Sequence, residues 1–193
     1  MKKFLLIFLP LLIICAVTAF VFAQSNKNEV SNMTLENKKI LIAYFSWSGN
    51  TKAIAEKIQA QTGGDIFRIE TAVPYPKDYN EAAYGVAKKQ HEEGTKPELK
   101  DNGDVSGYDI IFVGTPAWWY EMAPAVKTFL SKNNFEGKII VPFITHGGGG
   151  KYTIAEDMAK LAKGAKVLSP FVVYGQGNAN TDKDITEWLG NLK

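Results

Sequence analysis

The sequence predicts an α/β fold in three layers, with a five-stranded parallel β-sheet covered by helices on both faces. Short apolar runs without internal polar residues are typical of strands buried on both faces. Segments with apolar residues at helical spacing lie between these runs, and turn-forming residues separate the two kinds of segment. Parallel strands need such helical crossovers, which are nearly always right-handed. The alternation of the segments therefore predicts the fold class.

The first half of the folded region alternates strand and helix in this way. Residues 40–45 form a continuous apolar run, which predicts a buried strand. Residues 52–61 have apolar side chains at helical spacing and stop before Gly63, where a glycine C-cap is expected. Residues 65–70 alternate polar and apolar side chains as an edge strand does. A further helix is predicted to begin near Asn80.

The second half continues the alternation after a surface connection at residues 92–105, which contains little but charge, Gly and Pro. The remaining predicted elements are a strand at 109–114, a helix at 124–132 with Pro124 in its first turn, a strand at 137–144, a helix containing Met158 and Leu161, a strand at 165–173 and a helix containing Ile185 and Trp188.

Residues 1–23 are predicted to be a secretory signal peptide. Two lysines follow Met1, and residues 4–23 are apolar and carry no charge. Val21 and Ala23 place short side chains at the positions that a cleavage site requires. The alternative is a retained membrane anchor, because about twenty apolar residues can cross a bilayer as a helix. In either case the protein is expected to be exported, as a periplasmic, extracellular or outward-facing anchored protein.

Residues 24–38 are predicted to be a disordered linker because their Ser, Asn and Lys content cannot bury a core. One domain, residues 39–193, then follows. Removing residues 1–23 would leave as many basic residues as the 20 acidic ones and would remove Cys15, the single cysteine. A neutral chain lacks the basic stripe that nucleic-acid binding needs. Without cysteine, disulfides and Cys-ligated metals are excluded from the domain.

The loop after the first strand is the first candidate binding segment, because open parallel sheets bind ligands beyond the carboxyl ends of their strands. It contains three hydroxyl side chains and one glycine and leads directly into a helix. Such hydroxyls, together with free N–H groups at a helix start, bind phosphate. The alternative is that one Ser or Asn only caps the helix. The candidate residues are Ser46, Trp47, Ser48, Gly49, Asn50 and Thr51.

The segment after the third strand is the second candidate, and it is predicted to be a loop. Three adjacent aromatic residues occur there. Indole rings stack on planar heterocycles and exclude water from them. The alternative for one of the two tryptophans is packing beneath the next helix. The candidate residues are Thr115, Pro116, Ala117, Trp118 and Trp119, with Tyr120 completing the aromatic run.

The glycine-rich loop after the fourth strand is the third candidate. Four successive glycines would let backbone amides approach the edge of a flat ligand, and the alternative is a flexible hinge. The adjacent histidine is a possible donor to the ligand, whereas His91 is predicted to be solvated. Two histidines so far apart do not predict a metal site. The candidate residues are Thr145, His146, Gly147, Gly148 and Gly149.

These segments together resemble the flavodoxin family, and in particular its short-chain members with a Trp in the phosphate loop. The resemblance spans residues 39–193. It rests on residues 44–51, on residues 114–119 and on the glycine loop after Ile144, with Pro124 and its helix in the expected place.

The resemblance implies a strand order of 2-1-3-4-5 and FMN as the cofactor. It places the FMN phosphate in the first loop and the flavin ring between the second and third loops. Trp47, Trp118 and Trp119 are the residues that it carries over as flanking the ring. Classical members are strongly acidic, whereas the mature chain is near neutral, which argues against strong electrostatic docking.

The function that the resemblance implies is electron transfer or oxidoreduction with FMN, outside the cytoplasm. A redox partner protein or a small quinone-like acceptor is the expected partner, and the membrane is one only if the N-terminal segment is retained. The flavin supplies the chemistry, so no catalytic side chain is assigned. The alternatives are an NAD(P)H-dependent quinone-type reductase and a cofactor-free binding module on the same fold.

Overall fold

Three central strands form the most deeply buried part of the sheet. The computed structural model describes residues 35–192, and the predicted signal peptide and residues 24–34 of the predicted linker lie outside the described residues. Strand β1 (Ile40–Tyr44) is buried at every position. Strand β3 (Ile110–Trp118) is buried over its first six residues, and β5 (Ile139–His146) over its six central residues. Burial on both faces, which the apolar runs predict, is therefore confirmed.

Helices pack on both faces of this sheet, as expected for the three-layer fold. The remaining elements are α1 (Asn50–Thr62), β2 (Asp65–Arg68), a π-helix (Asn80–Ala87), α2 (Lys88–Glu92), β4 (Glu121–Met122), α3 (Pro124–Lys132), α4 (Ile154–Leu161), β6 (Lys166–Val167), β7 (Phe171–Tyr174) and α5 (Thr181–Gly190). Helix α1 contacts α5, and α3 contacts α4. Side chains of α3 and α4, such as Phe129 and Met158, share one core cluster with alternate residues of the strands.

The parallel strands lie in the order β2-β1-β3-β5-β6. Strand β7 also pairs with β5, further along it than β6 does. β6 and β7 thus occupy one edge position, and the predicted order 2-1-3-4-5 is confirmed. The prediction of one uninterrupted strand over residues 165–173 is wrong, because residues 168–170 break it. Pro170 lies in this break and has no N–H to donate to the sheet.

Strand β3 extends beyond the point at which the sequence predicts a loop. Thr115 and Pro116 still pair with Ile144 and Thr145 of β5 in parallel register. The loop prediction is therefore wrong for residues 115–118. The physical reason is that Pro116 lacks an N–H and suggests a strand end, yet the carbonyl of a proline can still take part in a ladder.

The chain then turns back in what we call the aromatic hairpin, residues 118–121. Trp118 lies opposite Glu121 in the antiparallel pair of β3 and β4. The two turn residues, Trp119 and Tyr120, have φ of 50° and 69°. Tight hairpin turns of this kind favour Asn or Gly because both central residues need positive φ. Because Trp and Tyr are not typical of such turns, the sequence does not predict this one.

Gly114 allows β3 to lie between its neighbours at the centre of the sheet. A Cβ atom at this position would lie 2.2 Å from Cζ of Phe143 and 2.8 Å from Cβ of Tyr44. Only glycine fits there without displacing a core side chain. Gly114 immediately precedes the second candidate segment, so this close packing fixes the position of β3 at the start of that segment.

Two predicted helix boundaries are confirmed. Gly63 ends α1 in the left-handed conformation, with φ of 69°, and its N–H donates to the Gln59 carbonyl at 2.8 Å. Helix α3 begins at Pro124, whose fixed φ and missing N–H suit the first turn.

Candidate functional site

The three candidate segments meet at one cleft at the carboxyl ends of β1, β3 and β5. The cleft has a volume of about 400 Å³, within the usual range for small-molecule and cofactor sites. We call it the loop cleft. Its lining residues from the predicted segments are Trp47, Ser48, Asn50, Thr51, Pro116, Ala117, Trp118, Thr145, His146 and Gly147.

The start of helix α1 forms the polar end of the loop cleft. Gly49 is the N-cap residue, with φ of 98°, and within residues 35–192 no side chain caps this helix. The Ser46 hydroxyl instead accepts a hydrogen bond from the Gly49 N–H at 3.1 Å and so closes the turn before the helix. The N–H groups of the first turn are therefore not occupied by a capping side chain, and such groups bind anions.

A buried hydrogen bond joins the first and third segments. The Thr51 and Thr145 hydroxyl oxygens lie 2.9 Å apart, and the two residues are 1% and 2% exposed. This bond ties α1 to the end of β5 across the floor of the cleft. Of the three hydroxyls predicted to bind phosphate, those of Ser46 and Thr51 thus have partners within the protein, and Ser48 is exposed.

Indole rings form two walls of the loop cleft, and each ring is held by its neighbours. The Trp47 indole N–H donates to the Pro76 carbonyl at 2.9 Å. Trp118 packs edge to face against Phe45 and Tyr75, with ring centroids 5.4 and 5.2 Å away. Both rings are therefore positioned before any ligand binds, which reduces the entropy cost of binding.

Tyr75 is itself fixed from below. Its hydroxyl donates to Oε1 of Gln90 at 2.6 Å, and burial raises the pKa of this phenol well above its usual range. Tyr75 therefore stays neutral and keeps its hydrogen bond at any physiological pH. It connects the wall of the loop cleft to helix α2.

His146 stands at the rim of the loop cleft, at the end of β5. Its Nδ1 accepts a hydrogen bond from the Gly148 N–H at 3.0 Å, which in the neutral ring assigns the proton to Nε2. The ring lies edge to face with Tyr174, at 5.9 Å. His146 is thus oriented by its own loop and is available as a donor through Nε2.

Six predicted residues lie outside the lining of the loop cleft. Ser46 and Thr115 are buried, and the Thr115 hydroxyl accepts from the Ala123 N–H at 2.9 Å. Gly49 shapes the turn before α1. Trp119 belongs to the aromatic hairpin, and its indole N–H donates to the Ala83 carbonyl. The other two are Gly148 and Gly149.

Sequence reasoning missed three residues that line the loop cleft: Tyr79, Tyr174 and Gly175. Tyr174 ends β7, so the rule that ligands bind beyond the carboxyl ends of parallel strands also applies to it. Tyr79 lies between β2 and the π-helix, where nothing in the local pattern distinguishes a lining residue. Its ring lies 5.8 Å from that of Trp47.

The base of the aromatic hairpin contains a buried histidine, and the prediction that His91 is solvated is wrong. Its side chain is 6% exposed, and its Nδ1 lies 2.9 Å from Oε2 of Glu121. Lys127 donates to the same carboxylate oxygen. Glu121 thereby links the hairpin to α2 and α3. The charged neighbours of His91 in the sequence suggest an exposed position, but its place in α2 directs its side chain toward Glu121.

The electrostatics of this cluster favour neutral histidine and ionised glutamate. Burial lowers the pKa of His91, although the hydrogen bond with Glu121 opposes the shift. Its buried Nε2 has no hydrogen-bond partner within residues 35–192. Burial acts to raise the pKa of Glu121, but the bonds from Lys127 and His91 outweigh it and lower the pKa.

Over residues 35–192, no group of three or more His, Cys, Asp or Glu side chains is arranged to hold a metal ion. Within the same range, no helix has the length and hydropathy needed to cross a membrane.

Comparison with known proteins identifies relatives with this architecture. A family description, Flavodoxin, matches residues 39–192. A curated relative from Chromohalobacter salexigens, an NAD(P)H dehydrogenase (quinone), is 31% identical over 112 residues, which cover 53% of this chain and 52% of the relative. The chain thus spans about half the length of that enzyme.

Solved structures agree with the family match. A protein from Bacteroides eggerthii, described as a flavoprotein, is 30% identical, with a TM-score of 0.66 and coverage of 79% of this chain and 96% of that one. A flavoprotein from Lactobacillus acidophilus, solved in complex with FMN, is 26% identical, with a TM-score of 0.61 and coverage of 78% and 98%. The strand order, the converging segments and the match over residues 39–192 lead to one conclusion: the chain belongs to the flavodoxin family.

Proposed function

We propose that the protein binds FMN in the loop cleft and acts in electron transfer or oxidoreduction. One observation carries the proposal: the helix start without a capping side chain and two fixed indole rings converge on a single cleft of about 400 Å³. The flavodoxin match and the FMN-containing relative are consistent with it.

The polar end of the cleft fits a phosphate group. The N–H groups at the start of α1 and the exposed Ser48 hydroxyl are the donors, and the positive end of the helix dipole favours the negative charge. Gly49, with φ of 98°, forms the turn that precedes these donors. Among residues 35–192, no lysine lines the loop cleft, so the proposed site relies on the backbone N–H groups and the Ser48 hydroxyl.

The apolar walls fit a flat ring system. Trp47, Tyr79, Trp118 and Tyr174 contribute aromatic rings to the lining of the loop cleft. Their rings exclude water and offer faces and edges for stacking. FMN, when bound, supplies the redox chemistry, and the protein orients it and adjusts its potential. His146 Nε2 is an oriented side-chain donor at the rim.

Comparing FMN with riboflavin, which lacks the phosphate, tests this proposal. Purified full-length protein is freed of flavin and titrated with each compound, and quenching of flavin fluorescence reports binding. We expect FMN to bind much more tightly than riboflavin, because only FMN engages the helix start. Equal affinity, or no saturable binding by folded protein, would contradict the proposal.

A variant with an added negative charge tests whether the FMN phosphate lies at the start of α1. Ser48→Asp places a negative charge beside the start of α1 and should weaken FMN binding roughly tenfold, with little effect on riboflavin. Ser106→Asp is the matched control, since Ser106 is also exposed but precedes β3 at the opposite edge of the sheet. If both variants weaken FMN equally, the phosphate does not lie at α1.

A second candidate function is reduction of quinones with NAD(P)H. Its support is the name of the Chromohalobacter relative, of which this chain spans about half. The test is consumption of NADH or NADPH by FMN-loaded protein, with 1,4-benzoquinone present or absent. Quinone-dependent consumption would favour the reductase, and its absence would favour an electron carrier.

Export is part of the proposal. It is supported by residues 1–23, with their two lysines, apolar stretch and terminal Ala23. Fractionation of cells that express the chain, followed by N-terminal sequencing of the recovered protein, tests it. A mature protein that begins at Gln24 outside the cytoplasm is expected, whereas full-length protein in the cytoplasm would rule export out.

A further inference from the structure

A second cleft, of about 230 Å³, adjoins the loop cleft. We call it the aromatic cleft. It shares Tyr79, Ala117 and Trp118 with the loop cleft, so occupants of the two clefts would contact the same side chains. Within the described part of the chain, residues 35–192, no charged residue lines it. Its aromatic lining residues are Tyr79, Tyr84, Trp118, Trp119, Tyr120 and Tyr152.

Backbone strain is concentrated around this cleft. Within residues 35–192, four residues other than glycine have positive φ: Asn37, Trp119, Tyr120 and Tyr152. Asn adopts this conformation readily, but bulky residues do so rarely, and the backbone is strained where they do. The three strained aromatic residues all line the aromatic cleft. Such strain is typically retained where it shapes a binding site.

Gly149 of the glycine-rich loop makes room for one of these rings. A Cβ atom at Gly149 would lie 1.4 Å from the Tyr152 hydroxyl oxygen. The ring of Tyr152 in turn lies edge to face with that of Tyr120, at 5.2 Å. The hairpin and the glycine-rich loop therefore approach each other through a pair of phenol rings at the mouth of the aromatic cleft.

The phenol groups of the cleft are available to a ligand. Tyr79, Tyr84 and Tyr120 are 56%, 57% and 67% exposed. Among the side-chain hydrogen bonds of residues 35–192, none involves the hydroxyl of these three residues or of Tyr152. Exposed aromatic residues clustered in this way mark interaction sites. The cleft thus offers flat apolar faces together with hydroxyl donors.

The positive charge of Lys88 beside the aromatic cleft favours a neutral ligand over a cationic one. Nζ of Lys88 lies 5.5 Å from the centre of the Trp119 ring, and none of the carboxylates in the described chain lines the cleft. Lys88 is itself paired with Glu92, with Nζ 3.7 Å from Oε1. A cationic ligand, which aromatic cages can bind, would therefore compete with the Lys88 ammonium group for the Trp119 ring. A neutral, electron-poor ring instead complements the electron-rich indole and phenol rings, and its carbonyl oxygens would accept from the phenols.

We infer that the aromatic cleft is a binding site for a neutral planar ring that carries carbonyl oxygens, a ligand of the quinone class. The further role of a bound quinone as electron acceptor rests on the proposed FMN function. The binding itself requires only the aromatic cleft.

Equilibrium dialysis with 1,4-naphthoquinone tests the inference on full-length protein, with and without FMN. We expect saturable, reversible binding in both forms. Naphthalene, which lacks the carbonyl oxygens, and N-methylquinolinium, which is a cation of similar size, should each bind at least threefold more weakly. Stronger binding of the cation, or displacement of the quinone by FMN, would overturn the assignment.

Two variants locate the site. Tyr120→Gly removes an exposed ring while keeping a residue that adopts positive φ, and Tyr84→Ala removes a second exposed ring. Each should weaken naphthoquinone binding roughly three- to tenfold, the range for one aromatic contact, with FMN affinity unchanged. Val73→Ala is the control, since Val73 is 83% exposed and lines neither cleft. Equal weakening in the control would overturn the inference.

The two proposals fail in different ways. Naphthoquinone binding without FMN binding would disprove the flavin function and leave the aromatic site standing. FMN binding without saturable naphthoquinone binding would do the reverse. Thermal unfolding of each variant confirms that a loss of binding occurs in folded protein.

Discussion

The floor of the loop cleft and the aromatic hairpin beside it are held in place by different interactions. The floor is fixed by the buried strands around Gly114 and by the buried Thr51–Thr145 hydrogen bond. The hairpin is fixed at its base by Glu121, whose side chain is 46% exposed, and near its tip by a single indole hydrogen bond. The comparison indicates a rigid floor beside a hairpin whose tip, residues 119–120, is more adjustable.

The largest effect is expected from Gly114→Ala, which places a methyl group against Phe143 and Tyr44. Overpacking of this kind costs typically about 1–3 kcal/mol, and the shift of β3 should also weaken flavin binding. Urea unfolding measures the stability. Gly107→Ala is the control, since nothing lies within 4 Å of its added Cβ. Similar losses in both variants would show that the floor is not tightly packed.

Thr51→Val should be the next most damaging change. It leaves the buried Thr145 hydroxyl without its partner, a loss of roughly 1–3 kcal/mol. Replacing both threonines with valine should restore much of the stability, because neither hydroxyl is then unsatisfied. Unfolding of the two single variants and the double variant forms the test. Additive losses would contradict a direct bond between the two hydroxyls.

Trp119→Phe probes the hairpin by removing the indole N–H that donates to Ala83. We expect a loss of about 0.5–1.5 kcal/mol, the usual net value of one hydrogen bond. Amide hydrogen exchange should increase at residues 118–121 while β1 and β5 stay protected. Faster exchange in the central strands would mean that hairpin and floor are one cooperative unit.

The smallest effect is a pH dependence at the base of the hairpin. Because the pKa of His91 is lower in the folded protein than its usual value of 6.5, the unfolded chain binds the proton more readily. The contribution of neutral His91 to the free energy of unfolding is therefore present above pH 6.5 and is lost as the pH falls below that value. Glu121 titrates lower still and does not enter this window.

The free energy of unfolding of the parent protein should therefore fall between pH 7.5 and 5.5. In His91→Gln, which can still donate to Glu121, this part of the slope should disappear. Urea unfolding at the two pH values measures it. An unchanged slope in the variant would mean that protonation of His91 does not cause the pH dependence of the unfolding free energy.

The floor and the hairpin also differ in how far the sequence predicts them. The apolar runs of β1, β3 and β5 predict the sheet, and the chain order of strands and helices predicts where their loops gather. The hairpin is not predicted because Trp119 and Tyr120 occupy turn positions that normally require Asn or Gly. Strand β3 is underestimated for the related reason that its last residues continue past Pro116.

Local sequence alone predicted the main strands and helices, the family and the start of α1 as a candidate anion site, because these depend on periodicity, caps and short motifs. Tertiary structure alone decided that Thr51 pairs with Thr145, that His91 is buried against Glu121, and that Tyr79 and Tyr174 line the cleft. Each of these pairs residues far apart in the chain. Their meeting depends on how strands and helices pack, which no local pattern encodes.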